Sequence, residues 1–304
     1  MAEPISASAP TGPWSRPYLL LTLTALMWGG NAVAGRLAVG EVSPMALTAL
    51  RWIIAVAVLA LIARRDLAEA WPVLRPRWAS LALFGTMGFT AFNALFYIAA
   101  HHTAAVNLGI IQGAIPVVVL LGALVAFRTP IRGVQMVGVL LTLVGVAVVA
   151  ARGDPRVLAT LAVNAGDLYM LLASVLYALY TLALRNRPPV SGLALFAAMA
   201  LAACASSLPL VAYEAWVGAF QWPTLKGWLI LVYIGLFPSL LSQLLFIRGV
   251  ELIGPGRAGL FVNLVPVFAA ILAVGILGEP FRWYHGLALA LVLGGIWLAE
   301  QRRR

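Results

Sequence analysis

Long apolar stretches separated by short polar connections dominate this chain. Because a helix needs about 20 apolar residues to cross a bilayer core, each stretch of that length predicts one transmembrane helix. Ten such helices are predicted, at 17–38, 43–63, 78–100, 103–126, 132–151, 166–185, 190–213, 226–249, 254–277 and 282–301. The two longest connections, 64–77 and 152–165, contain the Arg, Asp, Pro and Gly residues that are typical of loops in water. Apolar sequence barely pauses at His101-His102 and Ile253-Gly254, so these two boundaries are the weakest.

Composition supports the same interpretation. Of the 304 residues, 63% are apolar and 10% are charged, whereas soluble domains are about half apolar and about a quarter charged. A water-soluble enzyme or a disordered chain is excluded, because neither can hide this much apolar surface. The segments also lack the alternation of outer-membrane barrels. The sequence therefore predicts an all-α integral membrane protein with ten transmembrane helices.

The two halves of the chain match each other at a shift of 150 residues. Pro116 aligns with Pro266. At the same shift five further pairs coincide: Phe96/Phe246, Gly109/Gly259, Pro130/Pro280, Arg132/Arg282 and Gly145/Gly295. This predicts one five-helix repeat over 17–151 and a second over 166–301. Since five is odd, the second copy enters the membrane from the opposite side, and such inverted repeats enclose a central cavity in many transporters. The alternative is an ancient duplication that is kept only for packing.

Positive charge predicts the orientation. The net charge is +10, and its residues lie between apolar runs, so membrane orientation explains it better than nucleic-acid binding. With the N-terminus in the cytoplasm, fourteen of the 20 Lys and Arg residues face the cytoplasm and four face outward. The tails 1–16 and 302–304 are then cytoplasmic and the linker 152–165 is periplasmic. Residues 1–16 show no apolar core typical of a cleaved signal peptide.

Polar and aromatic side chains at helical spacing within the spans predict an inward face, because such groups are costly in lipid. Trp28, Tyr177 and Tyr180 are predicted to pack against a solute, and amide side chains to hydrogen-bond it. The candidate substrate-binding residues are Trp28, Asn31, Asn93, Tyr97, Gln112, Tyr177, Tyr180, Gln243 and Asn263. For each of them, hydrogen bonding between helices is the alternative role.

Three further residues within the spans are candidates for special roles. Pro116 and Pro266 each remove a backbone donor at mid-span, which predicts kinks that expose carbonyls or act in gating; kinks that only shape packing are an equal alternative. Arg51 is the one charge near the middle of a span. It either attracts a carboxylate or binds carbonyls at a kink or loop end, and the second role is favoured. Glycines of spans 5 and 10 suggest close packing at the periphery: Gly138, Gly145, Gly286, Gly294 and Gly295.

Catalysis, cofactors and metals are not indicated. The single cysteine, Cys204, excludes a cysteine-cluster metal site, and neither a zinc-ligand pattern nor a phosphate-binding loop occurs. All ten acidic residues lie at span ends or in loops. Because proton-coupled pumps commonly keep a carboxylate at mid-depth, we expect movement down the solute gradient or exchange.

Several segments together resemble the drug/metabolite transporter superfamily, in its ten-helix EamA-type branch. They are Trp-Gly-Gly-Asn-Ala-Val-Ala-Gly-Arg at 28–36, Ser-Pro-Met-Ala-Leu-Thr-Ala-Leu-Arg-Trp at 43–52, the paired proline segments, and Gly-Glu-Pro at 278–280. The family's second Gly-Glu pair, after span 4, is replaced here by Arg128-Thr129. The resemblance covers nearly the whole chain, and within the family it is greatest to the YddG-type aromatic amino-acid exporters.

The resemblance implies a secondary transporter of the bacterial inner membrane that exports small metabolites such as amino acids. Its expected partners are a small-molecule substrate and membrane lipid, with no nucleic acid; the sequence leaves the oligomeric state open and is compatible with a monomer. Two rival functions remain. Export of cationic or amphipathic drugs predicts an anionic cavity, and an intramembrane enzyme or assembly subunit predicts a reactive cluster or a large partner surface; the sequence shows none of these features.

Overall fold

A computed structural model describes residues 12–159 and 163–300, and over these residues the fold is helical without a β-strand. Ten apolar helices follow one another along the chain. They are α1 (Pro17–Leu37), α2 (Pro44–Ile62), α3 (Arg64–His102), α4 (Ala105–Phe127), α5 (Gly133–Ala150), α6 (Ala165–Asn186), α7 (Gly192–Trp216), α8 (Leu225–Ile253), α9 (Arg257–Leu277) and α10 (Trp283–Ala299). The first nine are long and apolar enough to cross a membrane, and α10 is a shorter apolar helix of 17 residues. The prediction of an all-α membrane protein with ten apolar helices is confirmed.

The prediction of a loop at 64–77 is wrong. These residues form the start of α3: residues Arg64–Leu74 are α-helical and Arg75–Arg77 form a 3-10 turn. The reason is an amphipathic pattern, because Ala70 and Leu74 are buried while Arg64 and Arg65 are exposed. At 1.5 Å per residue, the 39 residues of α3 exceed the roughly 30 Å of a bilayer core. We call Arg64–Leu74 the amphipathic segment. The linker also contains a short helix, Pro155–Ala159.

The first helix of each half packs between helices of the other half. Helix α1 lies against α8 and α9, and α6 lies against α3 and α4. Helices α2 and α7 pair with each other, as do α5 and α10. The α5–α10 contact is close at Gly138, where a Cβ atom would lie 2.4 Å from the Gly295 carbonyl oxygen. Gly145 is similarly crowded, whereas Gly286 and Gly294 have no such close neighbour.

Local backbone features recur in the two halves. Both α3 and α8 contain a π-helical turn, at Thr86–Ala91 and Gly235–Leu241. Helices α4 and α9 both end in the left-handed conformation, at Arg128 with φ 51° and at Gly278 with φ 64°. Since five helices separate equivalent positions, the two left-handed helix ends lie at opposite ends of the bundle, whereas the two π-helical turns both lie beside the cavity described below.

The two ends of the bundle differ in charge, and we name them for that difference. The carboxylate end comprises the loops 38–43, 103–104, 151–154, 217–224 and 278–282 together with residues 163–164; Glu41 and Glu279 lie there, and Glu214 lies beside them in the last turn of α7. The arginine end comprises residue 63, the amphipathic segment with the turn Arg75–Arg77, and the loops 128–132, 187–191 and 254–256.

Candidate functional site

A cavity of ≈ 80 Å³ lies between the two halves. At about 10–15 Å³ for each water molecule, it holds several waters in this conformation and would have to widen for a larger solute. Side chains from α1, α2, α3, α4, α6, α8 and α9 line it. Nine of the predicted residues are in the lining: Trp28, Asn31, Arg51, Asn93, Gln112, Pro116, Tyr177, Gln243 and Asn263.

Three predicted residues lie outside the lining. Tyr97 is buried behind Arg51, and its hydroxyl donates to Asn31 Oδ1 at 2.9 Å. The Tyr180 ring covers Gly88, leaving no room for a Cβ there. Pro266 is buried against Gly113, whose Cβ would lie 3.2 Å from the proline ring.

Helical hydrogen bonding changes just before each of the two prolines. In α4 the pattern is interrupted at residues 113–114, and Pro116 lies in the first turn of the following helical segment. In α9 a 3-10 turn, Leu260–Leu264, precedes Pro266 in the same way. Proline has no N–H to donate to the preceding turn, which is where these changes lie. The break in α4 places Gln112, Gly113 and Pro116 on the cavity wall.

Arg51 holds three helices together through side chains. It lies seven residues into α2, about 10 Å from the carboxylate end, and is 3% exposed. Its Nε donates to Ser239 Oγ of α8 at 2.7 Å, and its Nη1 donates to Asn93 Oδ1 and to the Tyr97 hydroxyl, both of α3. The sequence favoured a structural role with backbone carbonyls as the partners of Arg51; the hydrogen bonds above go instead to side chains.

The remaining nitrogen of Arg51, Nη2, makes none of these hydrogen bonds, although the residue lines the cavity. Within residues 12–159 and 163–300 the ion pairs are Lys226–Glu41 and Arg248–Glu251, so Arg51 has no acidic partner there. A buried charge without a partner is costly. The site thus presents an uncompensated positive charge with N–H groups to spare.

Aromatic rings form the wall beside Arg51. Trp52 stacks on Phe89, with ring centroids 4.7 Å apart and planes 11° apart. The Arg51 guanidinium lies 5.3 Å from the Trp52 ring centroid, within cation–π range. The ring centroids of Phe92 and Tyr177 lie 5.0 Å apart across the α3–α6 contact. The wall is therefore apolar and flat next to a charged group.

Two buried polar atoms of the lining residues lack a hydrogen-bond partner within the described ranges. They are the donor Trp52 Nε1 and the acceptor Asn263 Oδ1. Asn263 uses its other amide atom, Nδ2, to donate to Glu300 at 3.2 Å. Both atoms are closed off from solvent in this conformation, so a polar solute would satisfy them only after the cavity widens.

The residues Trp52, Phe89, Phe92, Gly88 and Pro238 line the cavity but were not among the predicted site residues. A signal existed for two of them. Trp52 is a mid-span tryptophan beside the one mid-span charge, and Phe89 lies one turn before Asn93. Gly88 and Pro238 belong to the π-helical turns, whose register the 3.6-residue period does not predict.

Comparison with known proteins agrees with this architecture. The chain belongs to the EamA-like transporter family, within the drug/metabolite transporter superfamily: the family model matches residues 15–151 and, again, 164–300. The protein is accordingly a membrane transporter.

Its relatives are similar over almost their whole length. “Uncharacterized transporter YetK” of Bacillus subtilis is 26% identical, covering 94% of this chain and 87% of the relative. “Uncharacterized transporter YyaM” of the same organism is 25% identical, covering 93% of both. “Uncharacterized inner membrane transporter YicL” of Salmonella typhimurium is 24% identical, covering 96% and 98%. A solved crystal structure with 23% identity has a TM-score of 0.64 and covers 93% of this chain and 96% of its own, which shows the shared fold.

Proposed function

We propose that this protein exports amino acids, aromatic and other neutral ones, across the bacterial inner membrane by alternating access. The observation that carries the proposal is Arg51, a buried guanidinium that lines the cavity and that, among the described residues, has no acidic partner and no hydrogen bond at Nη2. A guanidinium binds a carboxylate in planar, paired geometry, and every amino acid has a carboxylate.

The other groups of an amino acid also find complementary partners. Its ammonium group requires acceptors, and the unpaired Asn263 Oδ1 is one, with the amides of Gln112 and Gln243 on the same wall. Its side chain would pack on the rings of Trp28 and Tyr177 and of the stacked pair beside Arg51. Flat apolar walls favour aromatic side chains because ring contacts add to area burial. This supports the narrower likeness to YddG-type aromatic exporters.

Contacts between the halves at the carboxylate end support an alternating mechanism. Glu279, just after α9, accepts from the backbone N–H groups of Ala105 and Val106 at 2.9 and 3.0 Å, at the start of α4. Glu214 of α7 accepts from Met45 and Ala46 at the start of α2, both at 3.2 Å. A carboxylate at a helix N-terminus is favourable. We propose that these bonds seal the carboxylate end in this conformation.

Loop contacts reinforce that seal. Glu41 accepts from the Thr224 hydroxyl and from Lys226 Nζ at 3.0 Å, and these two bonds lower the pKa of Glu41 below its usual value. At the arginine end the halves are also hydrogen-bonded, since Gln135 Nε2 of α5 donates to the Ala299 carbonyl of α10 at 2.9 Å. There Ser191 Oγ contacts Asp66 Oδ1 at 3.3 Å, and Thr129, equivalent to Glu279 at the 150-residue shift, has no carboxylate.

Orientation and energy source complete the proposal. We place the arginine end in the cytoplasm, with both termini, since most Lys and Arg residues then face inward. No acidic residue lines the described cavity, which supports movement down the substrate gradient or exchange rather than tight proton coupling. The positive charge of Arg51 argues against cationic drugs as the main substrates.

Counterflow in proteoliposomes tests the proposal. Vesicles with the purified protein and internal tryptophan are expected to take up labelled tryptophan, and external phenylalanine should compete. Tryptamine, which lacks only the carboxylate, should compete at least tenfold less, because it cannot pair with Arg51. Equal competition by tryptamine would show that the carboxylate is not recognised. Exchange of neutral drugs without any amino-acid exchange would show that the substrates are drugs and not amino acids.

Ring-truncated variants test the cavity assignment. Trp28→Ala and Tyr177→Ala are each expected to raise the KM for tryptophan several-fold, because each removes a lining ring. Trp297→Ala is the matched control, since Trp297 is 65% exposed on α10. Wild-type rates in both cavity variants, with normal insertion, would show that the cavity is not the substrate path.

A further inference from the structure

A second hollow, distinct from the central cavity, opens on the surface at the arginine end. Its volume is ≈ 380 Å³. The helices α2, α3 and α7 form it, and the amphipathic segment contributes one whole helix face: Arg64, Leu67, Ala68 and Trp71, spaced three, one and three residues apart. We call it the α2–α7 groove.

The walls of the α2–α7 groove are apolar apart from one residue. Val56, Leu59 and Ala60 of α2 and Ala197 and Leu201 of α7 complete the lining. Five of the nine lining residues are exposed, so the groove is open along its side: Ala60, Arg64, Ala68, Trp71 and Leu201. Apolar walls next to the membrane-spanning parts of α2 and α7 suit a hydrocarbon chain.

The charge in the groove indicates which headgroup is attached to such a hydrocarbon chain. Arg64 is the charged lining residue, and among the described residues it has no hydrogen bond or ion pair. The stretch 64–77 carries Arg64, Arg65, Arg75 and Arg77 against two acidic residues. Guanidinium groups pair well with phosphate, and basic clusters at a membrane surface attract anionic lipid. Trp71, 55% exposed, supplies an interfacial ring at the groove edge.

We propose that the α2–α7 groove binds an anionic phospholipid of the surrounding leaflet, with one acyl chain along α2 and α7 and the phosphate on Arg64. The proposal is independent of the transported solute, since no groove residue lines the central cavity. By linking α2 and α7, which belong to different halves, a bound lipid would also support the contact between them.

Native mass spectrometry and thermal unfolding of the full-length purified protein test this. Phosphatidylglycerol should bind about five- to tenfold more tightly than phosphatidylcholine with the same chains, the size expected for one charge contact. Arg64→Gln should remove this preference. Arg65→Gln is the matched control, because Arg65 is an exposed arginine of the same segment that does not line the groove.

A second pair of variants tests the acyl chain separately from the headgroup. Ala68→Trp fills the groove and should weaken binding of both lipids, whereas Val73→Trp, exposed on the same segment but outside the groove, should not. Equal losses in Arg64→Gln and Arg65→Gln would indicate diffuse charge attraction instead. Unchanged lipid binding in Ala68→Trp, or stabilisation that follows protein concentration and not lipid, would overturn the proposal.

Discussion

At the scale of single residues, Arg51 tethers three helices and, in the proposed function, also binds the carboxylate of the substrate. Its Nε and Nη1 tie α2 to α3 and α8, and its Nη2 is left for the cavity. The tether fixes the guanidinium plane, so a carboxylate would meet a group that is already oriented. Preorganisation of this kind reduces the cost of binding.

Arg51→Lys separates the two roles. Lysine keeps the positive charge but loses the planar pairing geometry, so we expect the KM for tryptophan to rise about tenfold, equal to about 1.4 kcal/mol. Counterflow kinetics measure it. Tyr97→Phe is the comparison, because it removes a tether bond outside the cavity and should lower stability by about 1 kcal/mol with little change in KM. A Lys variant with wild-type KM would leave Arg51 a tether only.

Most of the cavity-lining polar residues could be predicted from the sequence, because a polar side chain within a span is costly unless it faces protein or water. Asn31, Asn93 and Gln112 are found by that rule, and they line the cavity. Tyr97 satisfies the rule equally well, yet its hydroxyl is used between helices. Periodicity alone cannot distinguish a side chain that faces a cavity from one that faces a partner. The distinction depends on the π-helical turns, which shift the helix face by a fraction of a turn.

At the scale of helices, carboxylates of one half cap helix N-termini of the other half at the carboxylate end. The start of α4 is held by Glu279 and the start of α2 by Glu214, each from the other half. A helix N-terminus offers free N–H groups, so such a bond forms or breaks as a unit without disturbing the helix. The amphipathic segment shows the limit of sequence interpretation at this scale: its charges suggested a loop, while its buried Ala70 and Leu74 follow a helical period.

Glu279→Ala tests the seal at the carboxylate end. Loss of the cap frees the N–H groups of Ala105 and Val106, so amide hydrogen exchange over 103–110 should accelerate by about tenfold or more, as expected for charge-assisted bonds of about 1.5–3 kcal/mol. Glu251→Ala, which removes an exposed carboxylate paired with Arg248 in α8, should leave this segment unchanged. Unaltered exchange in Glu279→Ala would show that the cap does not hold α4.

At the scale of the whole molecule, the halves are interlocked rather than side by side. Helices α1 and α6 each pack against two helices of the opposite half, so motion between the halves must slide α1 along α8 and α9 while α6 slides along α3 and α4. The small residues at these contacts, such as Gly29 against Ala269, allow close sliding surfaces. Length and repeat pattern predicted ten helices, but they did not predict which ones pair.

The proposed orientation has a direct test because the chain contains one cysteine, Cys204. In a Cys204→Ser background, a cysteine at Arg75 should react with a membrane-impermeant maleimide only after cells are opened. A cysteine at Trp222, which is exposed at the carboxylate end, should react in intact cells. The reverse labelling pattern would invert the proposed topology and place the arginine end outside the cytoplasm.

Helix α9 is followed by Glu279 and helix α4 by Thr129, and this difference affects the relative free energies of the two conformations of a transporter with inverted repeats. If the two inverted halves were identical, the inward-open and outward-open states would have equal free energies, because the two-fold axis in the membrane plane would convert one state into the other. Glu279 has no counterpart at Thr129, so one end gains a cap of about 2 kcal/mol that the other lacks. That difference corresponds to a population ratio of about 30 to 1. In the proposed alternating mechanism, a glutamate present in only one of the two repeats would thus make one conformation the more populated one without substrate. The apparent affinities for substrate on the two sides of the membrane would then differ.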